Sequence, residues 1–245
     1  MPHPSPATAL ITGGARRLGA ACVRALAREG MAVVIHHHGS EKAARELADA
    51  INAQGGTAHP LQADLEDSGQ TETLIPQAEA VLGRPVTLLV NNAAIFEHGS
   101  IRHTPTDQWN RHLAINLTAP FLLTREFARR LPPGQPGQII QIIDRHAHQP
   151  RPDYAAYSAA KSALWTLTRQ AALELAPAIR VNAIGPGPIL PAPGDSPERF
   201  ARIGAATPAG RSGSPDDIVA ALLFLIRNDF ITGELIRVDG GEHLR

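Results

Sequence analysis

The chain has 245 residues, enough for one large domain or two small ones. Its 43% apolar and 19% charged content fits a globular protein and excludes a disordered one. Twenty-three basic residues balance twenty-three acidic ones, so no global field draws it to nucleic acid or a membrane surface. Cys22 is the only cysteine, which rules out an intrachain disulfide and fits a reducing, cytoplasmic compartment. The longest apolar run, Ile218 to Ile226, is too short to cross a bilayer, which takes about 20 residues.

The start, residues 1–6, reads as a disordered lead-in without the pattern of a secretory signal. From Ala7 onward, short apolar runs alternate with longer amphipathic ones. Strands are predicted at Ala7–Thr12, Ala32–His36, Ala58–Leu61, Val86–Asn91, Gln138–Ile143, Ile179–Ala183 and Leu235–Val238. Several are unbroken Ile/Val/Leu runs, as expected where both faces of a parallel sheet are covered. Helices are predicted at Leu18–Arg28, Glu41–Gln54, Gly69–Val81, Thr106–Leu131, Ala155–Ala176 and Pro215–Arg227. Ser214-Pro215-Asp216-Asp217 is a helix start: a cap, a proline in the first turn, then acids at the positive dipole end. The order implies an α/β, Rossmann-like doubly wound parallel sheet in a single domain, 7–245, with ligands at the carboxyl ends of the strands. The proline-rich stretch Pro186–Pro197 lies on that side and reads as a substrate lid.

Thr12-Gly13-Gly14-Ala15-Arg16-Arg17-Leu18-Gly19 joins the first strand to the first helix. Backbone N–H groups in such a turn cradle a pyrophosphate, aided by the helix dipole. The second strand ends not in an acid but in His36-His37-His38-Gly39-Ser40. An acid there binds a ribose 2′-hydroxyl and repels a 2′-phosphate. Arg16, His37 or His38, and Ser40 would instead accept that phosphate, which favours NADP over NAD. The rival metal reading is weaker, because adjacent strand residues point to opposite faces; no metal site is expected. Tyr157 and Lys161 stand four apart at a predicted helix start, so they share a face. The Lys161 ammonium is expected to lower the Tyr157 pKa and prepare it for proton exchange with a substrate.

These features together resemble the short-chain dehydrogenase/reductase family over essentially the whole chain. The matching pieces are Thr12–Gly19, Asp64, Asn91-Asn92-Ala93-Ala94, Asn116, Tyr157 with Lys161, and Pro186-Gly187. The resemblance implies a cofactor set of Gly13, Arg16, Arg17, Leu18, Gly19, His37, His38, Ser40, Asp64, Leu65, Asn91, Ala93, Tyr157, Lys161, Pro186, Gly187 and Ile189. Within it, Asp64 would contact adenine, Asn91 and Ala93 the adenosine ribose, Lys161 the nicotinamide ribose, and the backbone around Ile189 the carboxamide. Asn116 would hold a water in a proton relay with Lys161. The resemblance also implies a homotetramer built on the long helices and the last strand, with Arg245 near a neighbouring subunit.

Three positions depart from the family pattern: Arg17 for a glycine, Asp144 for a serine, and Ala94 for a glycine. The first two are shared with pteridine reductases and related dihydropterin reductases, which the chain also resembles in its His-x-His run, in Phe96, in Gln149-Pro150 and in Leu173–Asn182. Gly39 departs from that subgroup, which has arginine there. The resemblance implies an NADPH-dependent pterin or dihydropterin reductase with Asp144, Tyr157, Lys161 and Asn116 as catalytic residues. Arg17, Phe96, Asp144 and Tyr157 would face the substrate. Phe96 would stack on a flat ring, or simply pack in its loop. Asp144 would repel a developing alkoxide, which argues against an ordinary ketone substrate. The other readings are a reductase of another carbonyl or imine, and a catalytically silent NADP-binding protein. Tyr154, seven residues before Lys161, is a second candidate tyrosine; His146 and His148 receive no role.

Overall fold

The computed structural model describes residues 8–147, 149, 151–192 and 194–244. The lead-in at 1–6, the start of the first strand at Ala7, and His148, Pro150, Pro193 and Arg245 lie outside the described residues. Among the described residues seven strands form one sheet: β1 (Thr8–Ile11), β2 (Ala32–His37), β3 (Ala58–Gln62), β4 (Leu88–Asn91), β5 (Gly137–Ile142), β6 (Ile179–Pro186) and β7 (Leu235–Val238). Their order is β3-β2-β1-β4-β5-β6-β7, and every neighbouring pair is parallel. The expected fold is therefore the observed one, a single doubly wound α/β domain.

Side-chain alternation along the strands feeds two cores. Ala9, Ile11, Val33, Ile35 and Val90 pack under α1 (Arg17–Arg28), α2 (Glu41–Asn52) and α8 (Pro215–Arg227). Leu10, Val34, Leu89, Ile139 and Val181 pack on the other side under α3 (Ser68–Leu82), α5 (Ala119–Arg130) and α6 (Ala155–Leu175). Both sheet faces are covered, which explains why the strands read as continuous apolar runs. The predicted helix start at Ser214 is the start of α8, where Asp217 Oδ2 accepts the Ser214 N–H at 2.7 Å. Among the described residues, no helix is long and apolar enough to cross a membrane.

One predicted element is corrected. The long helix at 106–131 is not continuous. It is α4 (Thr106–Leu113), then a π turn at Ala114–Thr118, then α5. Apolar periodicity hardly registers one extra residue in a turn, so the sequence shows an unbroken helix. Asn116 sits inside the π turn and explains it. Its Oδ1 accepts the Ile95 N–H at 3.0 Å, and its Nδ2 donates to the Ile95 carbonyl at 3.0 Å. The short helix after the proline-rich stretch is α7 (Pro197–Ala206).

Candidate active site

Strand order reverses beside β1, whose neighbours β2 and β4 run on to opposite edges of the sheet. That crevice is where an open α/β sheet receives ligands. Thr12 ties its two walls together. Its Oγ1 accepts the N–H groups of Asn92 at 2.9 Å and Ala93 at 3.0 Å, while Asn92 Nδ2 donates to the Thr12 carbonyl at 2.8 Å. Gly19 lies so close to the Gly13 carbonyl that any Cβ would overlap it. The turn is thus packed shut on one side and open on the other, where Arg16 and Arg17 are exposed.

Arg17 has φ 51°, the left-handed region, although it is not glycine. This is the position where the family pattern carries glycine, and the backbone shape supplies the reason. The Arg17 Nη2 donates to the Pro191 carbonyl at 2.7 Å, so the phosphate-type turn reaches the proline-rich stretch.

The three histidines part ways, as strand alternation requires. His36 is buried and serves the turn. Its Nδ1 accepts the Gly13 N–H at 3.1 Å, and its Nε2 faces the Ala63 carbonyl at 3.1 Å. The first contact places the proton on Nε2, so the ring is neutral. Burial pushes its pKa down to about 4. His37 is also buried, with Nδ1 3.3 Å from the His38 carbonyl. Of the three rings, the exposed one is His38, 3.3 Å from Asp64 Oδ1. Ser40 is partly buried at the start of α2. Among the described residues no cluster could hold a metal ion.

The low pKa of His36 has a measurable consequence. An unfolded histidine takes up its proton near pH 6.5, whereas the folded one resists until about pH 4. Between these values the unfolded chain binds more protons, so stability rises with pH there and levels off above. His36→Asn keeps an acceptor for Gly13 and removes the titration. It should flatten the loss of unfolding free energy between pH 7 and pH 5 by about 2 kcal/mol, checked by urea unfolding at both pH values.

Asn91, at the end of β4, holds an unsatisfied carboxamide: both Nδ2 and Oδ1 are buried without a hydrogen-bond partner. A buried amide left unpaired costs free energy unless a ligand completes it. With the closed turn at Gly13 and Gly19 and the cations at Arg16 and Arg17, this donor set fits a nicotinamide dinucleotide. Leu65 and Ile189 are buried in the core and Leu18 packs against it, so their side chains serve packing. Asp64 is at the crevice edge, where its Oδ1 also accepts the Glu66 N–H at 2.9 Å. Pro186 and Gly187 follow the crevice at the end of β6, with the Gly187 N–H donating to Val238 at 3.0 Å.

Tyr157 and Lys161 are buried on α6 and share its face as expected. The Tyr157 hydroxyl donates to Asp144 Oδ2 at 3.1 Å. Lys161 Nζ donates to the Ile142 carbonyl at 2.8 Å and sits 5.8 Å from the Tyr157 ring centre. The expected lowering of the Tyr157 pKa is overturned. Burial and the Asp144 carboxylate, which also accepts its hydrogen bond, push the hydroxyl well above its ordinary value. Burial lowers Lys161 to about 8, against a smaller opposing pull from Asp144. Asn116 does not reach this pair through its carboxamide, both of whose polar atoms are committed to Ile95.

Phe96 is clamped through its neighbours. Asn116 holds Ile95, and His112 Nε2 accepts the Glu97 N–H at 3.4 Å. Arg111 adds an ion pair with Glu97 at 2.6 Å. One face of the Phe96 ring is stacked on Tyr154 at 4.3 Å and 8°, and Tyr157 meets it edge-on at 4.8 Å. The Tyr154 hydroxyl lies 2.9 Å from His98 Nε2. The two tyrosines thus have separate tasks, and Tyr157 is the one at Asp144. Phe96, Arg17 and Asp144 line one cavity of about 410 Å³, closed further by Arg145, Leu190 and Glu242. His98, Arg145 and Glu242 escaped sequence reasoning because their partners lie 56 to 97 positions away, with no local signal.

Residues 13–243 match the family described as enoyl-(acyl carrier protein) reductase. The chain belongs to the short-chain dehydrogenase/reductase family. FolM alternative dihydrofolate reductase 1 from Brucella canis, solved in complex with NADP, superposes with a TM-score of 0.94 at 39% identity, over 97% of this chain and 94% of its own. An uncharacterised oxidoreductase of Methylorubrum extorquens is 36% identical over 95% of this chain and 96% of its own length. A 3beta-hydroxysteroid dehydrogenase of Eggerthella lenta is also 36% identical, over 96% and 92%. This family member is an oxidoreductase, and the relatives named range from a hydroxysteroid dehydrogenase to an alternative dihydrofolate reductase.

Proposed function

We propose that this short-chain dehydrogenase/reductase is an NADPH-dependent reductase of a pterin or dihydropterin. The observation that carries this reading is the hydrogen bond from Tyr157 to Asp144, whose carboxylate lines a cavity together with Phe96 and Arg17. A serine there would donate to a developing alkoxide; a carboxylate repels one. A ring nitrogen that gains a proton has no such conflict, so the pair suits reduction of a C=N bond in a flat heterocycle. The similarity to an alternative dihydrofolate reductase supports the same substrate class.

NADPH, when bound, supplies the hydride. Arg16, Arg17 and the N–H groups of Leu18 and Gly19 would hold its phosphates, with His38 and Ser40 at the 2′-phosphate and Gly13, whose N–H is taken by His36, shaping the turn. His37, being buried, acts there through its backbone. Asp64 and Leu65 take the adenine end, Asn91 and Ala93 the ribose. Tyr157 and Lys161 orient the nicotinamide ribose, with Pro186, Gly187 and Ile189 along the carboxamide. Tyr157 keeps its proton at neutral pH because its pKa is raised, so it acts as the acid that delivers the proton to the substrate. Asp144 accepts that hydrogen bond and relays the replacement proton from solvent. Lys161 compensates charge as Tyr157 gives up its proton; Asn116 fixes the Phe96 loop rather than carrying a side-chain relay.

The test is oxidation of NADPH by the purified protein with dihydrobiopterin, dihydromonapterin or dihydrofolate, beside NADH and a simple ketone. Turnover of the ketone with none of the pterins refutes the reading. Asp144→Ser should lower pterin kcat/KM by about tenfold to a hundredfold and raise ketone reduction, as steady-state rates on both substrates will show. A homotetramer is the assembly we infer, supported by the almost fully exposed Phe230, Ile101 and Leu173, and light scattering checks it. A cytoplasmic location accords with a single, buried cysteine.

A further inference from the structure

The wall of the substrate cavity beside Asp144 comes from the far end of the chain. Asp239, buried at the end of β7, accepts the N–H groups of Gly241 at 2.9 Å and His243 at 3.1 Å, and the His243 ring nitrogen Nδ1 lies 2.7 Å from it. These contacts wind Glu242–Leu244 into a 3-10 turn. Gln149 fastens the turn to the Asp144 loop by donating to the His243 carbonyl at 2.7 Å. Glu242 is thereby placed in the cavity, where its Oε1 meets Arg145 Nη1 at 2.6 Å. The two side chains are 13% and 16% exposed. Burial pushes the Glu242 carboxyl up and the Arg145 guanidinium down, as expected for charges short of water.

Arg145 is the cation in this cavity that an acidic substrate would seek. Among the described residues the other cation on its lining is Arg17, which belongs to the phosphate turn and reaches the Pro191 carbonyl. Asp195 on the same lining already holds Arg199 at 2.9 Å. We propose that Glu242 is a built-in carboxylate that occupies Arg145 and so excludes substrates bearing a carboxylate at that end, favouring neutral, hydroxylated substituents. The inference rests on the reading that this cavity receives the substrate. An incoming carboxylate must displace Glu242 and leave it desolvated without its cation, the costly way to break a buried ion pair. A hydroxyl group instead donates to Glu242 and leaves the pair whole. Discrimination of this kind is built against the wrong ligand rather than for the right one.

The experiment compares kcat/KM with NADPH for two matched pairs, one acidic and one neutral member each: dihydrofolate against dihydromonapterin, and 4-carboxybenzaldehyde against 4-(hydroxymethyl)benzaldehyde. Wild type should prefer the neutral member of each pair. Glu242→Gln should improve the acidic member relative to the neutral one by about tenfold, because Arg145 is released. Arg145→Met, which strands the Glu242 carboxylate, should widen the preference instead. NADPH affinity by fluorescence titration should hold in both variants, the melting temperature should fall because each leaves a buried charge unpaired, and either variant alone decides the outcome if the other fails to fold. An unchanged acidic-to-neutral ratio, or an equal change in both members, overturns the inference while leaving the pterin reading intact. Turnover of the aldehydes but of no pterin sinks the pterin reading, and the aldehyde ratio then decides the inference. No turnover of either pair sinks both.

Discussion

Tyr157→Phe should lower kcat by about two to four orders of magnitude while leaving NADPH affinity nearly unchanged. The substitution removes one hydroxyl and keeps the ring, so the edge-on contact with Phe96 at 4.8 Å survives. What disappears is the proton donor that faces Asp144. Rapid-mixing kinetics beside a fluorescence titration of NADPH separates the two effects. Turnover close to wild type would mean that the proton takes another route and that the chain could be a cofactor-binding protein with incidental activity. The pH profile carries a second signature. Lys161 holds its charge below about pH 8 and loses it above. Loss of the ammonium removes the compensation for proton release from Tyr157, so kcat should fall as pH rises through about 8. The same lysine affects stability with the opposite slope. Its folded pKa lies below the unfolded value of 10.5, so the unfolded chain binds the extra proton between about pH 8 and 10.5. That contribution to stability therefore rises with pH across the window. A falling rate in a protein that is not unfolding is the expected combination.

Arg17→Gly should cost about tenfold to a hundredfold in kcat/KM, the worth of one charge-assisted hydrogen bond, and yet leave the protein as stable or more so. Arg17 sits at φ 51°, where a side chain costs about 1–2 kcal/mol. Glycine relieves that strain and returns about 0.5–1 kcal/mol of it as extra freedom of the unfolded chain. The net gain is then between about 0 and 1.5 kcal/mol, and each kcal/mol raises Tm by roughly 2–4 °C for a chain of this size. Arg17→Ala is the control: it loses the guanidinium and keeps the strain. If Arg17→Gly melts well below wild type with unchanged kcat/KM, the strain is not held for function.

The fold was legible because a parallel sheet with two covered faces writes itself as unbroken apolar runs, and β1, β2 and β4 carry them at Ala9–Ile11, Ala32–Ile35 and Leu88–Val90. Tyr157 and Lys161 were legible because four-residue spacing on a helix is a geometric fact. The sign of the Tyr157 pKa was not, since it depends on Asp144, thirteen positions away in another element, and on burial that no spacing reveals. The His36 strut was half legible: alternation said that the three rings must separate, but not that Gly13 and Ala63 would claim the first of them. The Phe96 stack with Tyr154 and the Arg145–Glu242 pair were invisible, because each forms only when distant segments meet.

The π turn at Ala114–Thr118 also sets an angle. Each residue of an α-helix advances the chain by about 100°, so one residue too many in a turn rotates everything before it against everything after it by more than a quarter circle. On the α5 side of that offset, Leu123 and Phe127 face the core. On the α4 side, Arg111 and His112 face the strip that carries Phe96. Deleting a single residue from the turn would straighten the rod and swing the second pair off its target while the first stayed seated. The aromatic wall of the cavity is aimed by this twist in a helix, much as a crank aims its handle, and it could be mis-aimed without loosening the core.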